Sequence, residues 1–183
     1  MKRFHIPNAA YHITTNTKDR IPFFQEDVLA SVLENTVINT LPSKESKLIG
    51  YKINLEHLHL IIQVKGHFTI SQILHSVKRV STLRINQILS YQLDDNPYKY
   101  LKWDPFTALQ REFFCKKYNR GNPHDYPKFS WQNGFHDQLI RTPNQLVNTI
   151  SYLRTQSVRH NIPTNAWLFI ADPIPKSIHF IGK

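Results

Sequence analysis

Cys115 is the only cysteine in 183 residues, which excludes an internal disulfide and any multi-cysteine zinc knuckle. A single free thiol is compatible with a reducing compartment. Long apolar runs are missing too, and nothing approaches the roughly 18 apolar residues that a membrane span needs. The basic start Met1-Lys2-Arg3-Phe4-His5 leads into no apolar h-region, so no secretory signal is expected. These absences predict a soluble chain of the cytoplasm with no membrane partner.

Acidic residues are scarce as well. Thirteen Asp+Glu stand against 23 Lys+Arg, for a formal net charge of +10. That excess favours a polyanion: DNA, RNA or an acidic membrane surface. The 40% hydrophobic and 12% aromatic content is enough for a real core. No internal repeat or low-complexity tract interrupts the chain.

Periodicity then gives an order of elements. Residues 11–17, Tyr-His-Ile-Thr-Thr-Asn-Thr, are β-branched and aromatic and read as a first strand. Val28, Leu29, Val32, Leu33 and Val37 recur at helical spacing before Leu41-Pro42-Ser43 ends the helix. Residues 47–53 and 58–64 are strand candidates joined by a short turn around Asn54-Leu55-Glu56. Thr69 or Ser71 caps a second helix running to about residue 89. Strand–helix–strand–strand–helix predicts an α+β domain, an antiparallel sheet with helices on one face.

From 91 to 128 the pattern breaks into aromatics interleaved with cations, among them Tyr98, Tyr100, Trp103, Lys116, Lys117 and Arg120. This is either an irregular insertion packed on the domain edge or a surface that stacks bases and meets phosphates. Residues 129–141 read as a hairpin or strand pair. Thr142-Pro143 then starts a helix, Thr as N-cap and Pro in the first position, which Pro163 ends. A tail, 164–183, follows the domain at 1–163 without an assigned role.

The stretch Glu56-His57-Leu58-His59-Leu60-Ile61-Ile62-Gln63-Val64 carries the first chemistry. Alternation puts Leu58, Leu60, Ile62 and Val64 on one apolar face, and His57 and His59 together on the other. Imidazoles at i, i+2 can converge on one divalent ion while leaving positions open for a substrate oxygen. They also fit two edge histidines facing water. Glu56, if the strand is already regular there, points to the face opposite the histidines. His12 can share the histidine side.

The last helix carries the second. Leu146, Val147, Ile150, Leu153 and Val158 fall in one broad sector, with Tyr152 roughly opposite and Gln156 about 40° from it, one turn along. Tyr152 is therefore either a solvated tyrosine or one aimed outside its own helix's core.

A strand reading His-Leu-His, a downstream Trp-Gln-Asn-Gly-Phe-His-Asp-Gln-Leu-Ile-Arg, and a helix with Ser151-Tyr152-Leu153-Arg154-Thr155-Gln156 together resemble the single-tyrosine HUH transposases. The likeness is greatest to the REP-associated, transposase-17 type, and runs from about 11 to 161. It implies a ferredoxin-like sheet and an enzyme that cuts and rejoins single-stranded or hairpin DNA through a 5′-phosphotyrosine. Under it His57, His59 and Gln156 hold Mg²⁺ or Mn²⁺, Tyr152 is the nucleophile, and the protein works at the nucleoid. Both monomers and homodimers occur in such families. The family commonly has Met-Pro-Asn where this chain has Asn54-Leu55-Glu56, and Asn-Pro after the tyrosine where it has Gln156-Ser157. Candidate DNA contacts are Lys78, Arg79 and Arg84 on the second helix, Lys116, Lys117 and Arg120, and Trp131 and Arg141. The alternatives are a nucleic-acid-binding protein of this fold without strand transfer, and a phosphodiesterase using water.

Overall fold

The computed structural model describes residues 6–91, 104–118, 126–159 and 166–182. Its centre is a five-stranded antiparallel sheet of β1 (Ala10–Asn16), β2 (Ser46–Ile53), β3 (His57–Val64), β4 (His136–Ile140) and β5 (Leu168–Ile170), in the order β4-β1-β3-β2-β5. The helices are α1 (Asp27–Thr40), α2 (Ile70–Ile88), α3 (Pro105–Lys117) and α4 (Pro143–Arg159). The β1-α1-β2-β3-α2 order with β1 and β3 side by side is the expected α+β, ferredoxin-like arrangement.

Alternation along β3 decides what each face does. Leu58, Leu60, Ile62 and Val64 are buried with Ile13, Tyr51 and Ile53 against Leu29, Leu33 and Val37 of α1 and Ile73, Val77 and Ile85 of α2. Thr69 and Gln72 form a reciprocal capping box that starts α2. On the opposite face, Ile61 joins Ala10, Ile49 and Ile140 beneath Leu146, Ile150 and Leu153 of α4. Helices α1, α2 and α3 thus share the leucine face, and α4 is the one described helix over the histidine face.

Within α4 the buried stripe is narrower than the hydrophobic spacing predicts. Val147 and Val158 are 58% and 81% exposed, whereas Leu153 is fully buried. With those valines removed from the buried sector and Gln156, 1% exposed, added to it, Tyr152 falls beside that sector rather than opposite it. That side of α4 faces the sheet.

The segment 91–128 contains a helix that its composition hides. Asp104 caps α3 by accepting from Thr107 N–H at 3.1 Å, and Pro105 fills the first helical position. Phe114 is buried, and Arg111 donates to the Gln87 carbonyl at 2.5 Å, tying α3 to the end of α2. Residues 92–103 and 119–125, including Tyr98, Tyr100, Trp103 and Arg120, lie outside the described residues.

In place of a strand pair over 129–141 there is one strand. β4 pairs with β1, while Trp131 makes only an isolated bridge to Thr17. The tail contributes β5 to the sheet edge beside β2, and Ile178 packs under α4. Among the described residues no helix is long and apolar enough to cross a membrane.

Candidate active site

Three residues before the first histidine, the chain turns. Asn54 N–H donates to the His57 carbonyl at 2.8 Å, closing the link between β2 and β3. Strand alternation therefore does not reach position 56. Glu56, which a regular strand would send to the other face, instead accepts from His57 Nδ1 at 3.0 Å. A carboxylate can only accept, so Nδ1 of His57 carries the proton and Nε2 keeps its lone pair.

His59 is held from its outer side in the same way. Its Nδ1 lies 3.0 Å from Thr14 Oγ1 and 3.2 Å from His12 Nε2. Both contacts follow from register, because Thr14 pairs directly with His59 and His12 is the next residue on that face of β1. Burial, with the His136 charge adding to it, pushes the His12 imidazole down to about 4. His12 is thus a neutral partner at ordinary pH.

With their Nδ1 atoms engaged, His57 and His59 bring their Nε2 atoms to 3.1 Å from each other, both rings more than nine-tenths buried. Nitrogens each about 2.1 Å from one cation likewise stand roughly 3 Å apart, so the pair has the spacing of two ligands on one ion. Outer-side partners on both rings are the usual support of metal-binding histidines. The donor set therefore fits a divalent ion.

Helix α4 completes the group. Thr142 Oγ1 accepts from Gln145 N–H at 3.1 Å at its start, and the Leu146, Ile150 and Leu153 stripe seats it on the sheet. This sets the Tyr152 ring 5.4 Å from the His59 ring and 6.0 Å from the His12 ring, with Arg159 over it at 5.1 Å. Gln156 is 1% exposed; its Nε2 donates back to the Tyr152 carbonyl at 3.4 Å, and its Oε1 accepts from Asn54 Nδ2 at the same distance. Among the described residues no group of three His, Cys, Asp or Glu side chains is arranged to hold a metal. Besides the histidine pair, the described residues bring the Gln156 and Asn54 side-chain amides to this point.

Next to this group the histidine face stays open. His12, Thr14 and Asn16 of β1 are half-buried, and His136 and Gln138 of β4 are exposed. An open cleft lined by Lys18, Asp19, Arg20, Ser130, Trp131, Gln132 and Asn133 adjoins it. Arg20 links cleft and site, with Nη1 3.8 Å from Glu56 Oε1.

His57, His59, Tyr152 and Gln156 are thus brought together. The cationic candidates are not. Lys78 donates to the Gln132 and Gly134 carbonyls at 2.9 and 2.5 Å, Arg84 pairs with Asp104 at 3.2 Å, and Lys117 pairs with Glu26 at 2.7 Å. Arg79 and Lys116 are exposed on α2 and α3, across the sheet from the histidines. Trp131 is 8% exposed and donates to Ser81, while Arg141 is exposed just ahead of α4. Sequence reasoning missed Asn54, Thr14, Lys18 and Arg20. For Thr14 the signal was its position two residues from His12 on the same strand face.

A family profile described as "Transposase IS200 like" matches residues 5–119, more than half of the chain, and the chain belongs to that family of transposases. The match takes in β1 to β3 and the histidine pair and ends ahead of α4. A solved structure of a REP-associated tyrosine transposase bound to a REP hairpin is similar in fold, at a TM-score of 0.59 and 14% identity, over 87% of this chain and 73% of that one. A crystal structure from Deinococcus radiodurans, described as that of a "putative transposase", aligns at a TM-score of 0.49 and 14% identity, over 85% of this chain and 96% of that one. No curated protein matches the sequence.

Proposed function

We propose that the chain is a metal-dependent endonuclease and strand transferase acting on single-stranded hairpin or repeat DNA, with Tyr152 as its nucleophile. The observation that carries this reading is the convergence of the His57 and His59 Nε2 atoms, 3.1 Å apart, with the Tyr152 ring 5.4 Å from His59. A nucleic-acid-binding protein without strand transfer would have no use for that convergence.

His57, His59 and Gln156 would hold Mg²⁺ or Mn²⁺, and the chemistry such an ion supplies is Lewis-acid polarisation of a phosphate oxygen. Glu56 and Thr14 keep the two imidazoles in the tautomer that presents Nε2. The α4 stripe fixes Tyr152 beside them, so attack on phosphorus needs no large motion of the chain. The phenolic oxygen of Tyr152 forms the bond to phosphorus and gives up its proton. The phosphorus–3′-oxygen bond breaks, and that oxygen leaves as a hydroxyl after taking a proton. The product is a 5′-phosphotyrosine ester. Because the ester conserves the bond energy, a 3′-hydroxyl can attack it and restore a phosphodiester without ATP.

Hairpin DNA as substrate is supported by the hairpin bound to the REP-associated relative. The +10 net charge and the exposed Lys18 and Arg20 beside the site suit a phosphate backbone. With such a partner the protein would work in the cytoplasm, at the nucleoid. All the proposed site residues come from one chain, so this reading requires no homodimer.

The test is incubation with Mn²⁺ or Mg²⁺ and single-stranded hairpin DNA, followed by denaturing electrophoresis. The wild type gives a covalent protein–DNA band that Tyr152→Phe does not. Cleavage that persists in Tyr152→Phe sinks the proposal and favours attack by water.

A further inference from the structure

We infer that Asn54 is a fourth residue of the ion site, contributing its side-chain amide oxygen beside His57, His59 and Gln156. This rests on the reading that the histidine pair holds a divalent ion. It assigns a role to a residue in the turn where this chain departs from the resembled family's Met-Pro-Asn.

Three observations carry it. Asn54 is 1% exposed, and its Oδ1 is buried without a hydrogen-bond partner. A buried amide oxygen left unpaired costs stability, so native structures rarely keep one without a use. The other end of the same amide lies where the donors converge. Nδ2 is 2.8 Å from His57 Nε2 and 3.4 Å from Gln156 Oε1. Those are the spacings of neighbouring ligands on one ion, roughly 3 Å for donors each about 2.1 Å from it. A half-turn about the Cβ–Cγ bond moves the oxygen to that point, gives up the two Nδ2 hydrogen bonds and puts Nδ2 in the buried position that Oδ1 now holds, so the ion has to offset that loss.

The backbone makes the placement rigid. The 2.8 Å hydrogen bond from Asn54 N–H to the His57 carbonyl sets residue 54 across the turn from residue 57. Two imidazoles and two amide oxygens would then surround the ion with neutral donors. Oxygen donors favour Mg²⁺ or Mn²⁺, and a site without an anionic ligand leaves the full charge of the ion to act on a phosphate.

Titration calorimetry with Mn²⁺ alone, on the full chain without DNA, tests this. Asn54→Ala should weaken Mn²⁺ binding by about tenfold or more. Asn54→Asp should tighten it, because an anionic oxygen takes the ligand's place. In Co²⁺-loaded protein, Asn54→Ala should also change the visible absorption bands through the loss of one donor. Circular dichroism melting of each variant confirms folding, and Asn54→Asp decides the matter if Asn54→Ala does not fold. Unchanged Mn²⁺ affinity and Co²⁺ bands in Asn54→Ala, or weakened binding in Asn54→Asp, overturn the inference. His59→Ala serves as the control. If His59→Ala binds Mn²⁺ as the wild type does, or the wild type binds none, the histidine site itself fails and this inference with it.

Discussion

Tyr152 on α4 and His59 on β3 face each other across 5.4 Å between ring centroids, edge to face, within one chain. Ninety-three positions separate them in sequence. What joins them is the seat of α4 on Ala10, Ile61 and Ile140, beside the open end of the histidine face.

A site assembled within one chain cannot be complemented. Mixing Tyr152→Phe with His59→Ala should give no covalent DNA adduct, because neither molecule holds both the nucleophile and the histidine pair. Denaturing gels of the mixture decide it. Recovery of an adduct would mean that the tyrosine helix serves a partner's histidines.

Thr14 Oγ1, 3.0 Å from His59 Nδ1, should govern ion affinity without touching the ion. Thr14→Val keeps the shape and removes the hydroxyl. Mn²⁺ affinity should fall about tenfold, the usual effect of losing an outer-side partner of a metal-binding histidine. Equal affinity by calorimetry would show that the hydroxyl does not set the imidazole.

Two residues of α4 should respond unequally to truncation. Leu153 is fully buried, and Leu153→Ala should cost about 2–5 kcal/mol in urea unfolding. Val158 is 81% exposed, and Val158→Ala should stay within about 0.5 kcal/mol. A large cost at Val158 would mean that the broad hydrophobic sector, not the narrow one, is the packed face.

Lys78 gives stability a specific dependence on alkaline pH. Burial lowers its ammonium from 10.5 to about 8. Between those values the unfolded chain binds more protons than the folded one, so stability contributed by this group rises with pH across the window and is lost as pH falls toward 8. Urea midpoints at pH 8 and pH 10 should therefore differ more favourably for the wild type than for Lys78→Met. Parallel pH profiles would contradict the shift.

The strands and α2 were legible because each has one period and one buried face. Leu58 to Val64 alternate without interruption, and Thr69 with Gln72 mark their own helix start. The histidine pair was legible for the same reason. Its support was not. Asn54 and Glu56 act from inside a turn, where alternation stops, and their hydrogen bonds to His57 depend on how tightly that turn closes.

Helix α3 was hidden because interleaved rings and cations drown its apolar stripe. The Asp104-Pro105 pair, a cap followed by a first-position proline, was the available signal. Periodicity also says which face of α4 is apolar, but not which layer of the domain receives it. Tyr152 looked aimed away from its core because Val147 and Val158 were counted as part of that core and the buried Gln156 was not. With both exposed, the same tyrosine sits on the edge of the buried stripe and meets the histidines.

The most direct measurement is the position of the covalent bond. Protein trapped with hairpin DNA and Mn²⁺ is digested with nuclease and protease, and the peptides are read by mass spectrometry. The account predicts a 5′-linked nucleotide on the phenolic oxygen of Tyr152, absent from His59→Ala. A nucleotide linked to any other residue, or hydrolysis with no linked peptide, would contradict it.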